Sequence, residues 1–185
     1  GKSAPPLHYN GSNVVQSSQL GEFCVIITHM KDKINALVAK IKTDTSMEGF
    51  EYREWFFAYH LKIVQEIAIS LADKYPQADR DLVQVLAWVH DYSKPFAKTK
   101  EEEKETLVPM LKKDMQELGF ENNFIEKTIE YLEEVESKDT KSLSDAPIEV
   151  QIVSSADGCA HFFGPFYYSY FRNDPNEPLV STMDR

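Results

Sequence analysis

Four side chains in this sequence belong to the types that bind divalent metal ions: His60, His90, Asp91 and Asp157. Imidazole nitrogens and carboxylate oxygens are ligands for zinc, manganese, iron and magnesium, and the set contains no thiolate that would single out zinc. His90 and Asp91 are adjacent, whereas the other two lie far away along the chain. Metal chemistry therefore requires secondary structure elements that bring three distant segments together.

Most of the chain has the apolar spacing of amphipathic helices, with hydrophobic residues recurring every three or four positions. The pattern predicts helices from Glu22 to about residue 42, from 49 to 74, and from a cap at Asp79 to Pro95, which is expected to stop that helix. Further helices are predicted over about 101–118 and 121–138, and a last one opened by Asp145 and Pro147. No stretch alternates as strands do, so the predicted fold is all-α, a single-domain bundle of about six helices.

The four candidate ligands fall on the apolar faces of these predicted helices. Burial of such polar groups costs several kcal/mol unless each finds a partner, and one divalent ion would satisfy all four together. The alternative is that the histidines are core residues with ordinary partners and that Asp157 is a capping or ion-paired acid; the residues alone leave both interpretations open. His90 and Asp91 would point about 100° apart on a regular helix, so the helix is expected to distort or end there.

The order and spacing of these residues resemble the HD-domain superfamily of metal-dependent phosphohydrolases. The resemblance rests on His60, on His90-Asp91 within the segment VLAWVHDYSK, and on Ser155-Ala156-Asp157-Gly158, and it covers residues 22 to 171. It implies that His60, His90, Asp91 and Asp157 bind one divalent metal ion, which could be manganese, magnesium, zinc, iron, cobalt or nickel. It also implies that Lys94 faces the phosphate of the substrate, which makes Asp91 and Lys94 the predicted catalytic residues.

Two features of the sequence limit what this resemblance implies. Family members with two metals place further histidines before the final aspartate, but residues 92–156 contain none, so a single ion is expected and the di-iron oxygenases of this fold are disfavoured. Some single-metal nucleotidases use an acid shortly after the His-Asp pair, yet residues 92–100 contain none, so the proton donor is unassigned. Glu133 and Glu134 are predicted to form a solvated acidic face, with replacement of a ligand or relay of protons by one of them as the alternative.

The predicted function is hydrolysis of a phosphoester of a small molecule, with nucleotides among the candidates. A divalent metal lowers the pKa of a bound water from 15.7 to about 7 and polarises a phosphoryl oxygen, so hydrolysis becomes feasible at neutral pH. The alternative is a non-catalytic HD-fold module that binds metal or ligand or acts as a sensor, which the missing acid after Asp91 favours. A purely structural helical bundle is the third hypothesis.

Composition excludes several other classes of function. Thirty acidic against 20 basic side chains give a net charge of -10, which disfavours a polymeric nucleic acid partner. No apolar run approaches the roughly 20 residues of a membrane span, so no membrane partner is expected. With only two cysteines a reducing cytoplasm is the expected compartment, although the start at Gly1 leaves a removed leader as an alternative.

Some segments are predicted to lie outside the site. Residues 1–20 are interpreted as an N-terminal arm, 21–172 as the helical domain and 173–185 as an irregular tail. His161, one helical turn after Asp157, is predicted to pack in the core, with a position beside the site as the alternative. Lys98 and Lys100 are expected to be solvated. The aromatic segment 162–171 is predicted to pack in the core or between copies of a homo-oligomer rather than to stack a nucleobase.

Overall fold

The structure, a computed structural model, describes residues 29–137 and 141–164, without the side chains at 100 and 104. This part of the chain contains six α-helices. The helices are α1 (Met30–Asp44), α2 (Lys62–Ala72), α3 (Arg80–Val89), α4 (Lys100–Glu117), α5 (Asn122–Glu136) and α6 (Ile148–Ala160). These residues contain no strand, so the predicted all-α bundle of six helices is confirmed. The predicted arm and tail lie outside the described residues.

Helix α1 begins later than its apolar pattern predicts. His29 is extended, with ψ of 136°, so the helix starts at Met30 and the predicted helix from Glu22 does not run through this position. Residues 22–28 lie outside the described part of the chain. Within α1 the predicted stripe is correct: Ile34, Leu37 and Ile41 are buried.

The predicted helix over residues 49–74 is wrong in its first part. Gly49 has a φ of +94°, a conformation that L side chains rarely adopt, and residues 51–55 form turns. Aromatic packing replaces helical periodicity here, because the Phe50 and Phe56 rings meet edge to face at 5.3 Å and both are buried next to Trp55.

A π-helical turn, Phe57–Leu61, connects these turns to α2. A π turn accommodates one more residue than an α turn, and such turns occur frequently at functional sites. Here both His60 and Leu61 are buried, in continuation of the buried positions Val64 and Ala68 of α2. The π turn therefore allows a polar side chain to face the interior without displacing the apolar stripe.

Helix α3 begins as predicted and ends earlier. The Asp79 side chain caps it by accepting a hydrogen bond from the Leu82 N–H at 3.1 Å, and the Asp79 N–H donates to the Glu149 carboxylate of α6 at 2.8 Å. The last helical residue is Val89, and residues 90–96 form turns. The predicted end at the His-Asp pair is confirmed, whereas the prediction that Pro95 stops the helix is wrong, because the helix has already ended when the chain reaches it.

The core lies mainly where α2 packs against α3 and α6. Helix α5 covers α3 and α6, α4 packs on α5, and α1 packs on α3. Seven of the ten residues of α3 are buried, as expected for a helix that has neighbours on several sides. The N-terminal end of α2 thus meets the C-terminal ends of α3 and α6, the three places that carry the predicted ligands.

Two remaining expectations concern membranes and redox state. Among the described residues, none of the helices combines the length and the apolar character that crossing a bilayer requires. Cys159 is an exposed thiol, and Cys24 lies outside the described residues. The cytoplasmic location stays a prediction.

Candidate metal centre

His60, from the π turn, lies at the centre of the site and is only 2% exposed. Its Nε2 atom is 3.0 Å from Asp91 Oδ2 and 3.2 Å from His90 Nε2. Since α2 and α3 pack side by side, the π turn before α2 and the residues after α3 are brought to the same end of the bundle. The structure thus brings together three of the four predicted ligands.

His90 is oriented by the end of its own helix. It caps the C-terminus of α3, and its Nδ1–H donates to the Ala87 carbonyl at 2.9 Å. This hydrogen bond selects the tautomer whose Nε2 carries a lone pair, as the backbone partners of metal-binding histidines do. That lone pair points toward Nε2 of His60, 3.2 Å away.

Asp157, from the last turn of α6, supplies the fourth donor. Its Oδ1 atom is 3.6 Å from Nε2 of His60 and 3.6 Å from Nε2 of His90. These separations exceed the 2.7–3.2 Å range of ordinary hydrogen bonds.

The donor atoms have the spacing that one metal ion requires. Five of the six separations among the donor atoms of His60, His90, Asp91 and Asp157, all except that between the two aspartates, run from 3.0 to 3.7 Å. Ligand atoms about 2.1 Å from one ion are about 3.0 Å apart in octahedral and about 3.4 Å apart in tetrahedral geometry. The arrangement and chemistry of the donors therefore fit a divalent ion.

The electrostatics favour the forms of these side chains that bind metal, with one exception. Burial lowers the pKa of His60, which favours its neutral imidazole. Burial opposes ionisation of Asp91, but Lys94 and His90 hold the pKa of that carboxyl well below its usual range. Burial alone would lower the pKa of His90, yet Asp91 and Asp157 raise it, so a proton on His90 competes with a metal ion for this site.

Lys94 lies at the rim of the cluster. Its Nζ is 3.1 Å from Asp91 Oδ2, the same oxygen that His60 contacts, and its side chain is 35% exposed. The charge of Asp91 raises the pKa of Lys94 above its ordinary value, so the ammonium stays protonated. A positive charge therefore lies between the donor atoms and solvent.

His161 belongs to the site, although the sequence pattern favoured core packing for it. Its side chain is 28% exposed, and its Nε2 is 3.6 Å from Asp157 Oδ1. Its ring stacks on that of His60, with centroids 5.6 Å apart and planes 30° apart. The spacing of four residues from Asp157 was the available signal, because i and i+4 share a helix face.

Other candidates lie on the surface or outside the described residues. Glu133 is exposed and Glu134 pairs with Lys141 at 3.2 Å, as expected for a solvated acidic face. Lys98 is exposed, as predicted, and the Lys100 side chain is not described.

Phe162 and Phe163 are 75% and 55% exposed, so the core packing predicted for the aromatic segment is wrong for these two. The members of this segment from Phe166 onward lie outside the described residues.

A second polar group, the partly buried tyrosine cluster, adjoins the site and was not predicted. It consists of Tyr92, Asp44, Asp114 and Lys40. The Tyr92 hydroxyl contacts a carboxylate oxygen of Asp44 and lies 3.0 Å from Oδ2 of Asp114. Lys40 Nζ lies 2.9 Å from Asp44 and 3.5 Å from Asp114. Because Tyr92 follows Asp91, this cluster anchors the turn that carries a candidate ligand.

A family comparison agrees with this geometry. The family model for the HD domain matches residues 57–161, more than half of the chain, and this range contains all four candidate ligands and Lys94. The chain therefore belongs to the HD domain family, which has an all-α fold and consists mostly of metal-dependent hydrolases. Searches of curated proteins and of solved structures found no significant match.

Proposed function

We propose that this protein is a metal-dependent phosphohydrolase that hydrolyses a phosphoester of a small molecule, with nucleotides as the first candidates. One observation carries the proposal: the His, His-Asp and Asp residues of an HD domain converge, with donor atoms 3.0 to 3.7 Å apart, beside a lysine at the rim. His60, His90, Asp91 and Asp157 would hold one divalent ion.

The proposed chemistry requires an ion and groups that orient it. When bound, a divalent ion lowers the pKa of water to about 7 and polarises a phosphoryl oxygen. Ala87 keeps the Nε2 lone pair of His90 directed into the site. Burial of His60 and His90 excludes bulk water from one side, which strengthens every charge interaction in the cluster.

Lys94 is the proposed phosphate contact. Asp91 and Asp157 contribute two negative charges, which a divalent ion offsets, and Lys94 then leaves the site with an excess positive charge. This local charge favours an anionic phosphate group, in spite of the net charge of -10 on the whole chain. An ammonium group held by Asp91 3.1 Å away is already positioned to stabilise charge that develops on the phosphate.

The proposed partner is a small phosphorylated molecule rather than a polymer. The negative chain repels a polyanion at long range, whereas a single phosphate group experiences mainly the local field of Lys94 and the ion. Exclusion of nucleic acid and membrane partners, and a homo-oligomer, stay predictions.

The test is a hydrolysis screen on protein that has been stripped of metal and reloaded. Phosphomonoesters and cyclic nucleotides would be incubated with manganese, magnesium, cobalt, nickel, zinc or ferrous iron, and the Asp157→Ala variant would serve as the control for contaminating phosphatases. We expect metal-dependent release of phosphate or of the ring-opened nucleotide by the wild type and none by the variant.

Two other outcomes would refute the proposal in different ways. If elemental analysis finds a bound metal but no substrate is hydrolysed, the non-catalytic binding or sensory module is the better description. If no metal binds at all, the cluster is structural and the helical bundle has another role.

A further inference from the structure

The C-terminal end of α6 carries a histidine, His161, that has no role in the chemistry proposed above. It caps the C-terminus of this helix, one turn beyond Asp157. His60, Asp157 and His161 form a second group of metal-donor atoms that all lie within 4.8 Å of one another. This group shares His60 and Asp157 with the four-residue set, so His161 adjoins the same centre.

The distance from His161 to Asp157 is informative. The Nε2–Oδ1 separation of 3.6 Å is longer than an ordinary hydrogen bond. It equals the separations of Asp157 Oδ1 from the Nε2 atoms of His60 and His90. Three imidazole nitrogens therefore surround one carboxylate oxygen at the same distance, a spacing suited to neighbouring ligands of one ion.

Exposure shows from which side His161 approaches. The side chains of His60, His90 and Asp157 are 3%, 2% and 8% exposed, whereas that of His161 is 28% exposed. Packing closes the site on the side of α2 and α3, and His161 occupies the solvent side. A donor in this position completes a coordination sphere without requiring any change in the core.

We propose that His161 is a fifth protein ligand of the metal, so that the centre holds three imidazoles and two carboxylates and selects a transition metal ion over magnesium. The inference rests on the metal centre proposed above. Magnesium prefers oxygen ligands and retains several waters. Imidazole suits zinc, iron and nickel, whose affinities for a given site follow the Irving–Williams order. The third imidazole therefore favours a transition metal ion over magnesium at this centre.

The test compares His161→Ala and His161→Gln with the wild type in binding of cobalt(II) and magnesium to the stripped full chain. We expect both variants to weaken cobalt affinity at least about tenfold and to leave magnesium affinity nearly unchanged. The visible absorption of bound cobalt(II), which depends on the number and type of ligands, should also change. His29→Ala removes an exposed histidine at the start of α1 and should match the wild type in every readout.

The variants separate failure of this inference from failure of the centre. If the wild type binds no cobalt, both proposals are wrong. If cobalt binds to the wild type and is lost in Asp157→Ala, the centre stands; unchanged affinity in the His161 variants then refutes the fifth ligand. A weaker affinity with an unchanged cobalt spectrum would also refute it, because His161 would then support the centre from outside the coordination sphere.

Discussion

Two partly buried polar clusters meet at the turn that follows α3, and they differ in what balances their carboxylates. The four residues of the candidate metal centre, His60, His90, Asp91 and Asp157, are called the metal cluster here; its carboxylates are Asp91 and Asp157, and those of the tyrosine cluster are Asp44 and Asp114. Adjacent residues of one turn, Asp91 and Tyr92, belong to one cluster each. Each cluster also has a lysine within 4 Å of a carboxylate, so the presence of buried acids does not distinguish them.

The difference lies in the remaining groups. In the tyrosine cluster Lys40 contacts both carboxylates, and the Tyr92 hydroxyl adds a donor, so the cluster has its own cation and its own proton. In the metal cluster Lys94 contacts Asp91 at the rim, and the Nε2 lone pair of His90 takes the place of the hydroxyl donor. Because His90 adds an acceptor beside two carboxylates, this cluster still needs a cation, whereas the tyrosine cluster does not.

The largest expected contrast is in metal binding. Asp157→Ala should abolish stoichiometric metal binding, because it removes a charged ligand, while Asp114→Ala in the tyrosine cluster should leave it intact. Elemental analysis of the reloaded proteins measures the effect. Far-UV circular dichroism checks folding, and alanine should preserve the helical content of α6 because it is a good helix former. Equal metal content in wild type and Asp157→Ala would remove this distinction between the clusters.

The next contrast separates metal binding from catalysis within the metal cluster. Lys94→Ala should retain the ion and lose about 10²- to 10³-fold in kcat, since one group that stabilises charge in the transition state has been removed. By comparison, Asp91→Ala should lose both metal and rate. Lys98→Ala, an exposed lysine of the same segment, is the matched control and should keep full activity. An unchanged rate in Lys94→Ala would exclude Lys94 from the mechanism.

Metal removal should destabilise the folded protein through the metal cluster. A chelator should lower the melting temperature of the wild type, because an ion present at 100 times its dissociation constant contributes about 2.7 kcal/mol to the free energy of unfolding. The Asp157→Ala variant, which we expect to bind no ion, should melt at the same temperature with and without chelator. A shift of equal size in both proteins would mean that the chelator acts elsewhere.

A smaller effect is expected from the tyrosine cluster, and it concerns stability. Tyr92→Phe removes the hydroxyl that both carboxylates contact, and the loss of hydrogen bonding in a buried site should cost roughly 1–3 kcal/mol in urea unfolding. Metal content should stay at the wild-type level. If Tyr92→Phe unfolds at the wild-type urea concentration, the cluster does not stabilise the turn.

The Tyr92→Phe variant also distinguishes the two clusters by the pH dependence of stability at high pH. Burial, together with Asp44 and Asp114, raises the pKa of Tyr92 above its ordinary value of 10.0. Because the folded state holds this proton more tightly than the unfolded state, the stability contribution is fully present below pH 10 and declines as the pH rises further. Urea unfolding of the wild type should therefore weaken more steeply above pH 10 than that of Tyr92→Phe; parallel pH profiles would contradict this.

Several features of the fold and of the site were predictable because their signals are local. The apolar spacing identified α4 and α5 and the starts of α3 and α6 to within a few residues. Asp79 was recognised as a cap because a short acceptor before an apolar run bonds to nearby N–H groups. The angle between neighbouring side chains on a helix predicted the end of α3 at the His-Asp pair. The early turns at 51–55 were missed because aromatic packing, not propensity, shapes them.

The sequence by itself determined which groups are available for chemistry: their types, their order and the helices that carry them, since these follow from local spacing. Only the tertiary structure decided which of them meet. His161 and Glu134 are both polar residues on predicted helices, yet α6 brings one against His60 and α5 leaves the other with Lys141. The tyrosine cluster likewise joins α1, the turn after α3 and α4, and its acids resemble surface residues in the sequence. Contacts between distant segments depend on how whole helix faces pack, and no local pattern encodes that.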